Sequence, residues 1–226
     1  MRALVFMAGA VAGVTATMAV AGSRVAAARR RECVDALTGV PNRAGLHAAW
    51  PHLALAAPVV GVLDLDGFKP VNDTYGHAAG DLVLTTIAAR LRTRVAGGLV
   101  ARLGGDEFAL ILPGPIRHAY ATAVLTAAEV ALSIPIGEGI AVTVTASIGL
   151  APCVGGDLAQ ALASADAAMY RAKTSRSGVV VYDPVADDRT TSAADPRPVV
   201  RVRDLPTTAT AAPRAAAASL VSSVRV

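Results

Sequence analysis

The order of apolar and polar positions along residues 33–182 predicts strands and helices in turn. Val59 to Leu65 is an unbroken apolar run, the pattern of a buried strand. Leu82, Val83, Ile87, Ala88 and Leu91 recur at helical spacing, and Ala119 to Leu132 reads as another helix. Leu99 to Leu103 and Phe108 to Leu112 are two apolar runs joined across Gly104-Gly105, which predicts a hairpin. Ala141 to Ile148 alternates Val142, Val144, Ala146 and Ile148 with Thr143, Thr145 and Ser147, which predicts one strand of period two. Asp157 to Lys173 is helical, with an acid at its start and bases at its end that suit the helix dipole. The series helix, strand, helix, hairpin, helix, strand, helix implies an α/β layer fold with an antiparallel hairpin in its sheet.

The flanks follow different patterns. Residues 3–22 run without a charge, and a helix of that length spans roughly 30 Å, one hydrocarbon core. Arg24, Arg29, Arg30 and Arg31 follow it, against a lone Arg2 before it. That asymmetry predicts a single-pass anchor with its C-terminal side in the cytoplasm. A cleavable signal would carry its charge ahead of the apolar run instead. Residues 1–22 are therefore read as a membrane-anchor helix and 23–32 as a basic linker. Residues 183–226, with Pro184, Pro196, Pro198, Pro206 and Pro213 among Thr and Ala tracts, are read as a disordered tail.

Composition narrows the function. The chain of 226 residues is 54% hydrophobic and has a mean hydropathy of +0.50. Arg far outnumbers Lys, a bias of GC-rich coding sequence. Two cysteines, Cys33 and Cys153, exclude a disulfide scaffold and a four-cysteine zinc site. The net charge of +4 invites a nucleic-acid reading until it is located. Residues 1–32 carry five Arg and one Glu, whereas 33–182 carry ten bases and eleven acids. The central region has no basic field, so no nucleic-acid partner is expected.

Carboxylates supply the candidate chemistry. Asp64 and Asp66 end the apolar strand, and Asp106 and Glu107 sit at the tip of the glycine hairpin. Asp64 and Asp66, two apart, are read as facing opposite ways, one into a site and one away from it. Acids from two strand ends can hold Mg²⁺, which takes few protein oxygens and completes its octahedron with substrate phosphates. Two such ions can activate a hydroxyl and shield a phosphate. A solvated acidic turn gives the same pattern.

Longer blocks are more specific. Gly104-Gly105-Asp106-Glu107-Phe108 is the signature of the GGDEF family, the diguanylate cyclases. Asp35 to Arg43 (DALTGVPNR) resembles the family's opening block, and Asp64 to Asp81 (DLDGFKPVNDTYGHAAGD) resembles its D-x-D-x-F-K-x-x-N-D-x-x-G-H-x-x-G-D block. Ser147-Ile148-Gly149 resembles its late strand, and Ala165 to Lys173 (ADAAMYRAK) its closing helix. Five blocks in order, over about 33–182, carry the resemblance.

The resemblance implies a palm-like α/β domain, related to adenylyl cyclases and polymerase palms, with a central sheet flanked by helices. It implies that two GTP become cyclic di-GMP and two pyrophosphates across a homodimer, each 3′-hydroxyl attacking the other nucleotide's α-phosphate. Two Mg²⁺ (or Mn²⁺) per active site are implied, with Asp64, the Leu65 carbonyl and Asp106 as ligands. Asp106 is also the implied proton acceptor, supported by Glu107. Asn72 and Asp81 resemble guanine readers, and a carboxylate facing N1–H and the 2-amino group distinguishes guanine from adenine. His77, Phe68 and Lys69, the Gly104-Gly105 backbone and Lys173 resemble contacts to substrate and its phosphates. A catalytically weak or inactive GGDEF module that binds GTP or a partner is the alternative.

Two departures bear on that picture. The family's inhibitory product site, R-x-x-D, falls on Val95 and Gly98, and no acid occurs between Asp81 and Asp106, so product inhibition of that type is not expected. The family's closing A-K-x-x-G-R-N reads Ala172-Lys173-Thr174-Ser175-Arg176-Ser177-Gly178, which displaces both Arg and Gly.

Overall fold

The computed structural model describes residues 32–54 and 57–187. The expected anchor at 3–22, the linker and the tail beyond 187 lie outside the described residues. Among the described residues no helix is long and apolar enough to cross a membrane.

The elements are α1 (Arg43–Leu53), β1 (Val59–Asp66), α2 (Phe68–Tyr75), α3 (His77–Arg94), β2 (Leu99–Gly104), β3 (Glu107–Leu112), α4 (Ile116–Val130), β4 (Ile134–Gly137), β5 (Ile140–Val142), β6 (Thr145–Pro152), α5 (Leu158–Ser175), β7 (Val179–Val181) and the single turn α6 (Pro184–Asp187). Five strands form one sheet in the order β2-β3-β1-β6-β7, and β4-β5 is a separate hairpin. All pairings in the large sheet are antiparallel except β6 with β7. β1 lies at its centre, which is why its sequence reads as a continuous apolar run.

Alternate residues of β1 face two cores. Leu63 and Leu65 pack with Val83, Ile87 and Leu91 of α3 and with Ala119 and Ala123 of α4. Val60 and Val62 pack with Leu46 and Trp50 of α1 and with Leu158, Ala161, Ala165 and Met169 of α5. The α5 face is thin because alanines build it. At its closest point a Cβ on Gly149 of β6 would lie 2.0 Å from the Ala165 carbonyl oxygen. Gly149 thus lets α5 sit directly on the sheet, which fixes where the end of that helix arrives.

Strands β4 and β7 are not in the expected series, and three further features differ from the pattern-based expectation. The Ala141–Ile148 strand is two strands: Val142 pairs with Ile134 of β4, whereas Ala146 pairs with Leu65 of β1. Val142, Val144 and Ala146 are all buried, so the alternation reports burial correctly while the pairing partner changes beneath it. Helix α2 was not expected: it spans eight residues, of which only Phe68 and Val71 are buried. Residues 183–187, read as the start of the tail, are folded. Asp187 is 1% exposed, and Arg171 Nε and Nη2 donate to its two oxygens at 2.7 and 3.0 Å.

Candidate functional site

The acidic residues meet where β1 runs out against the β2–β3 turn. Asp64 stands opposite Glu107 of β3 and Ser147 of β6, and Asp66 opposite Thr145. Residues two apart in a strand share a face. Asp64 and Asp66 therefore point to the same side, the one covered by α5, which corrects the reading that they diverge. Ser147 Oγ donates to both Asp66 oxygens at 3.1 Å, and Thr145 Oγ1 donates to one of them at 3.2 Å. Asp66 is thus a fixed member of the acidic group, held by the strand that carries the Ser147-Ile148-Gly149 block.

Lys173, in the last turn of α5, reaches into this group and donates to Asp64 Oδ1 at 2.5 Å. Burial pushes the Asp64 carboxyl up to about 6, against the pull of Lys173, and the neighbouring Asp106 and Asp66 push the same way. Burial also raises Asp66, with Lys173 and the two hydroxyls opposing it. Glu107 is raised by burial and by Asp166 and Asp106, with Arg43 and Lys173 opposing. Burial is thus the main cause in each case, and on Asp64 and Asp66 the pull of Lys173 exceeds the push of the neighbouring carboxylates.

The hairpin that presents Asp106 depends on backbone conformation. Gly104 has φ +152° and Gly105 φ +52°, and nothing lies within 4 Å of where their side chains would be. The turn is held from below. Arg102 Nε and Nη2 donate to the Gly105 carbonyl at 3.0 and 2.7 Å, and Arg102 Nη1 donates to both Asp35 oxygens at 3.0 and 3.2 Å. Asp35 in turn accepts from the Thr38 backbone N–H and hydroxyl. Arg102 was not singled out from the sequence, and Asp35 appeared only as part of an unassigned block. The turn is also tied to β1, because the Leu65 N–H donates to the Asp106 carbonyl at 3.3 Å. The Leu65 carbonyl shares that edge of β1.

The remaining candidates lie on α2, α3 and the loop between. Asn72 is half-buried in the last turn of α2, and His77 and Asp81 are exposed in the first turns of α3. Lys69 is exposed and pairs with Asp73 at 3.3 Å. The Phe68 side chain is 8% exposed and packed in the core, so it offers phosphate only its backbone at the start of α2. Arg176, where the family's closing block has Gly, ends α5 in the left-handed conformation at φ +54°.

The donor set suits a hard cation. Two carboxylates, Asp64 and Asp106, and the Leu65 carbonyl are all oxygens. Among the described residues no three His, Cys, Asp or Glu side chains are grouped to enclose a metal by themselves. Mg²⁺ takes such oxygens and leaves positions for phosphate and water. A recess of about 320 Å³ opens elsewhere, beside the turn before β2, lined among others by Gly39, Pro41, Arg92, Val95 and Gly98.

Residues 32–178 match the family described as diguanylate cyclase, GGDEF domain. Over 154 residues the chain is 36% identical to the diguanylate cyclase DgcP of Pseudomonas aeruginosa, covering 64% of this chain and 23% of DgcP. It is 38% identical over 157 residues to the diguanylate cyclase TpbB of the same species, covering 64% of this chain and 36% of TpbB. It therefore spans only a minor part of these relatives' length. The solved GGDEF domain of TpbB superposes with a TM-score of 0.65 at 36% identity, covering 70% of this chain and 98% of that one. The coiled coil and GGDEF domain of DgcB from Caulobacter crescentus, solved in complex with c-di-GMP, gives 0.66 at 27% identity, covering 77% and 98%.

Proposed function

Because the chain belongs to the GGDEF-domain family of diguanylate cyclases, we propose that it condenses two GTP into cyclic di-GMP and two pyrophosphates across a homodimer, anchored to the cytoplasmic membrane by residues 3–22. The observation that carries this reading is the acidic cluster of Asp64, Asp66 and Asp106 with Lys173 among it, beside an open glycine turn.

Each chain residue has a role in that reaction. Asp64, the Leu65 carbonyl and Asp106 would hold two Mg²⁺ or Mn²⁺ ions, which supply charge neutralisation at the phosphates and lower the pKa of the attacking hydroxyl. Asp106 accepts the proton of the 3′-hydroxyl. The 3′-oxygen then bonds to the partner nucleotide's α-phosphorus as the bond to the β-phosphate oxygen breaks and pyrophosphate leaves. Glu107 supports Asp106 from the next position. Asp81 accepts from guanine N1–H and the 2-amino group, and Asn72 offers its carboxamide to the same base. Gly104 and Gly105 leave room for backbone N–H groups to approach phosphate. Lys173, which donates to Asp64, balances phosphate charge there. Catalysis here is positioning and electrostatics, with no covalent nucleophile.

The enzyme is proposed to lack product inhibition of the R-x-x-D type. Gly98 occupies the acid's position, and a Cβ there would lie 2.0 Å from the Ile111 carbonyl oxygen. A second reading, a GTP-binding module with little turnover, is favoured by Arg176 standing where the family has Gly.

The test uses full-length protein in membranes, incubated with GTP and Mg²⁺ and followed by mass-resolved chromatography. Cyclic di-GMP is expected from wild type, from the membrane fraction, and not from Asp106→Ala. GTP bound without product would favour the second reading. Product found only in the soluble fraction would sink the anchor.

A further inference from the structure

Helices α2 and α3 meet at Gly76, which closes one and opens the other. Its N–H donates to the Asn72 carbonyl at 2.9 Å, and its own carbonyl accepts from Ala79 and Gly80 at 3.2 and 3.3 Å. This corner lays the last turn of α2 against the first turn of α3. Asn72 and Gly80 are the residues that touch. A Cβ on Gly80 would stand 1.9 Å from Asn72 Oδ1, 2.9 Å from Asn72 Cγ and 3.2 Å from Phe68 Cζ. The slot left by the missing side chain is thus filled by the Asn72 carboxamide, with the Phe68 ring behind it. Among the described residues that carboxamide makes no hydrogen bond to the protein, so packing sets its position. Asp81 follows Gly80 directly and is exposed at the same corner.

Helix propensity makes this glycine informative. Gly80 is buried inside a helix of 18 residues with ordinary helical backbone, where alanine would favour the helix. No left-handed conformation requires glycine here. The atom that a methyl group would displace is the free end of a flexible side chain, so the helix itself can accept alanine while the carboxamide cannot stay.

We propose that Gly80 is a positioning residue for base recognition: its missing side chain seats the Asn72 carboxamide beside Asp81 so that both address one guanine. The proposal rests on the cyclase reading above. Glycine here sets selectivity, and the fold tolerates its loss.

The test is equilibrium binding to full-length protein of 3′-deoxy-GTP, which lacks the attacking hydroxyl, with 3′-deoxy-ATP as competitor and thermal midpoints alongside. The variants are Gly80→Ala, Asn72→Ala and the double variant. Gly80→Ala is expected to weaken 3′-deoxy-GTP binding on the order of tenfold and to lower the preference for guanine over adenine. In the Asn72→Ala background the same change is expected to cost no further affinity and to raise the thermal midpoint, because the carboxamide no longer blocks the methyl group, only Phe68 Cζ stands near it at 3.2 Å, and the helix gains. Wild-type affinity in Gly80→Ala overturns the inference. So does an equal further loss in the Asn72→Ala background, which would assign Gly80 to Phe68 and the core. Failure of wild type to bind 3′-deoxy-GTP overturns the cyclase reading and this inference with it.

Discussion

Strand β2 begins after Gly97-Gly98 and ends at Gly104-Gly105, and the two turns use glycine differently. At Gly98 the space for a side chain is already occupied, by the Ile111 carbonyl at 2.0 Å and Val95 Cγ1 at 2.9 Å from an ideal Cβ. At Gly104 and Gly105 the space is empty and the backbone angles exclude other residues cheaply. Charge differs in the same sense. Near the first turn Arg94 is already paired with Glu129, and Arg90 donates to the carbonyls of Leu132 and Ser133 at 2.7 and 2.9 Å. Beyond the second turn, Asp64, Asp66, Asp106 and Glu107 are grouped, with Lys173 acting on Asp64, Asp66 and Glu107 and Arg43 acting on Glu107. At the first end the side-chain space of Gly98 is closed, although a recess of about 320 Å³ lined by Arg92 opens beside it, and the other end is an open turn among acids. Grouped carboxylates mark the second end as the one that suits a metal-bound phosphate.

The sharpest way to break this comparison is to put the family's acid back at the closed end. Gly98→Asp must push a backbone carbonyl out of a central strand, and is expected to destabilise the protein by about 3–4 kcal/mol. Chemical denaturation measures it. It is also expected to create no inhibition by added cyclic di-GMP, because Val95 still stands where the arginine would be. Near-wild-type stability with new product inhibition would mean that the first turn is only vacant, not closed.

Burial of the carboxylates at the open end predicts a pH dependence. Asp64 ionises near 3.8 when unfolded and near 6 in the metal-free fold. The folded state therefore holds the proton more tightly, so its contribution is greatest below about pH 4 and is lost as pH rises to about 6. Two units correspond to about 2–3 kcal/mol. Asp66 and Glu107, both raised, act with the same sign. Asp35 and Asp187 are lowered, despite burial, by Thr38 and Arg102 and by Arg171, so they gain stability with rising pH, below the ordinary carboxylate value. Urea unfolding in EDTA should thus show stability falling from pH 4 to 6, and Asp64→Asn should make that limb shallower, leaving the part that Asp66 and Glu107 supply. Mn²⁺ should restore stability above pH 6, since it selects the ionised carboxylates. A flat curve in wild type would mean that Lys173 already balances the cluster.

Much of this was legible in the chain because strong patterns have one physical cause. The apolar run of β1 and the hairpin around Gly104-Gly105 were found by burial and turn chemistry alone. The acids at their ends were found by type and position. What escaped was tertiary. Arg102 lies outside every motif, and only the fold brings Asp35 beneath the signature turn. The strand period was misapplied at Asp64 and Asp66, though the ladder sets both on one face. Gly80 and Gly149 carry no local signal, since their reasons are atoms on other elements. Alternation from Ala141 to Ile148 gave burial and could not reveal that β5 and β6 pair with different strands.

A smaller change probes the open end. Gly104→Ala has room for its methyl group, so its effect is confined to the backbone at φ +152°. Stability is expected to fall by about 1 kcal/mol. Cyclic di-GMP formation is expected to fall about tenfold, because the turn that positions Asp106 shifts. Thermal melts and initial rates separate the two effects. A loss in stability without a loss in rate would mean that the hairpin geometry is not what presents Asp106.

The smallest expected effect tests whether the closed end is chemically silent. Arg94 is the nearest arginine to the family's inhibitory position, one residue before Val95. Its Nε and Nη2 both donate to Glu129 Oε2, and its side chain is 44% exposed. An ion pair that exposed contributes at most about 0.5 kcal/mol, and salt screens most of it. Arg94→Ala is therefore expected to shift the unfolding midpoint barely measurably and to leave turnover unchanged with or without added cyclic di-GMP. Micromolar product inhibition in wild type that disappears in Arg94→Ala would show that Arg94 leaves Glu129 for a phosphate. The turn before β2 would then be a second ligand site, and the contrast between the two ends of the strand would fail.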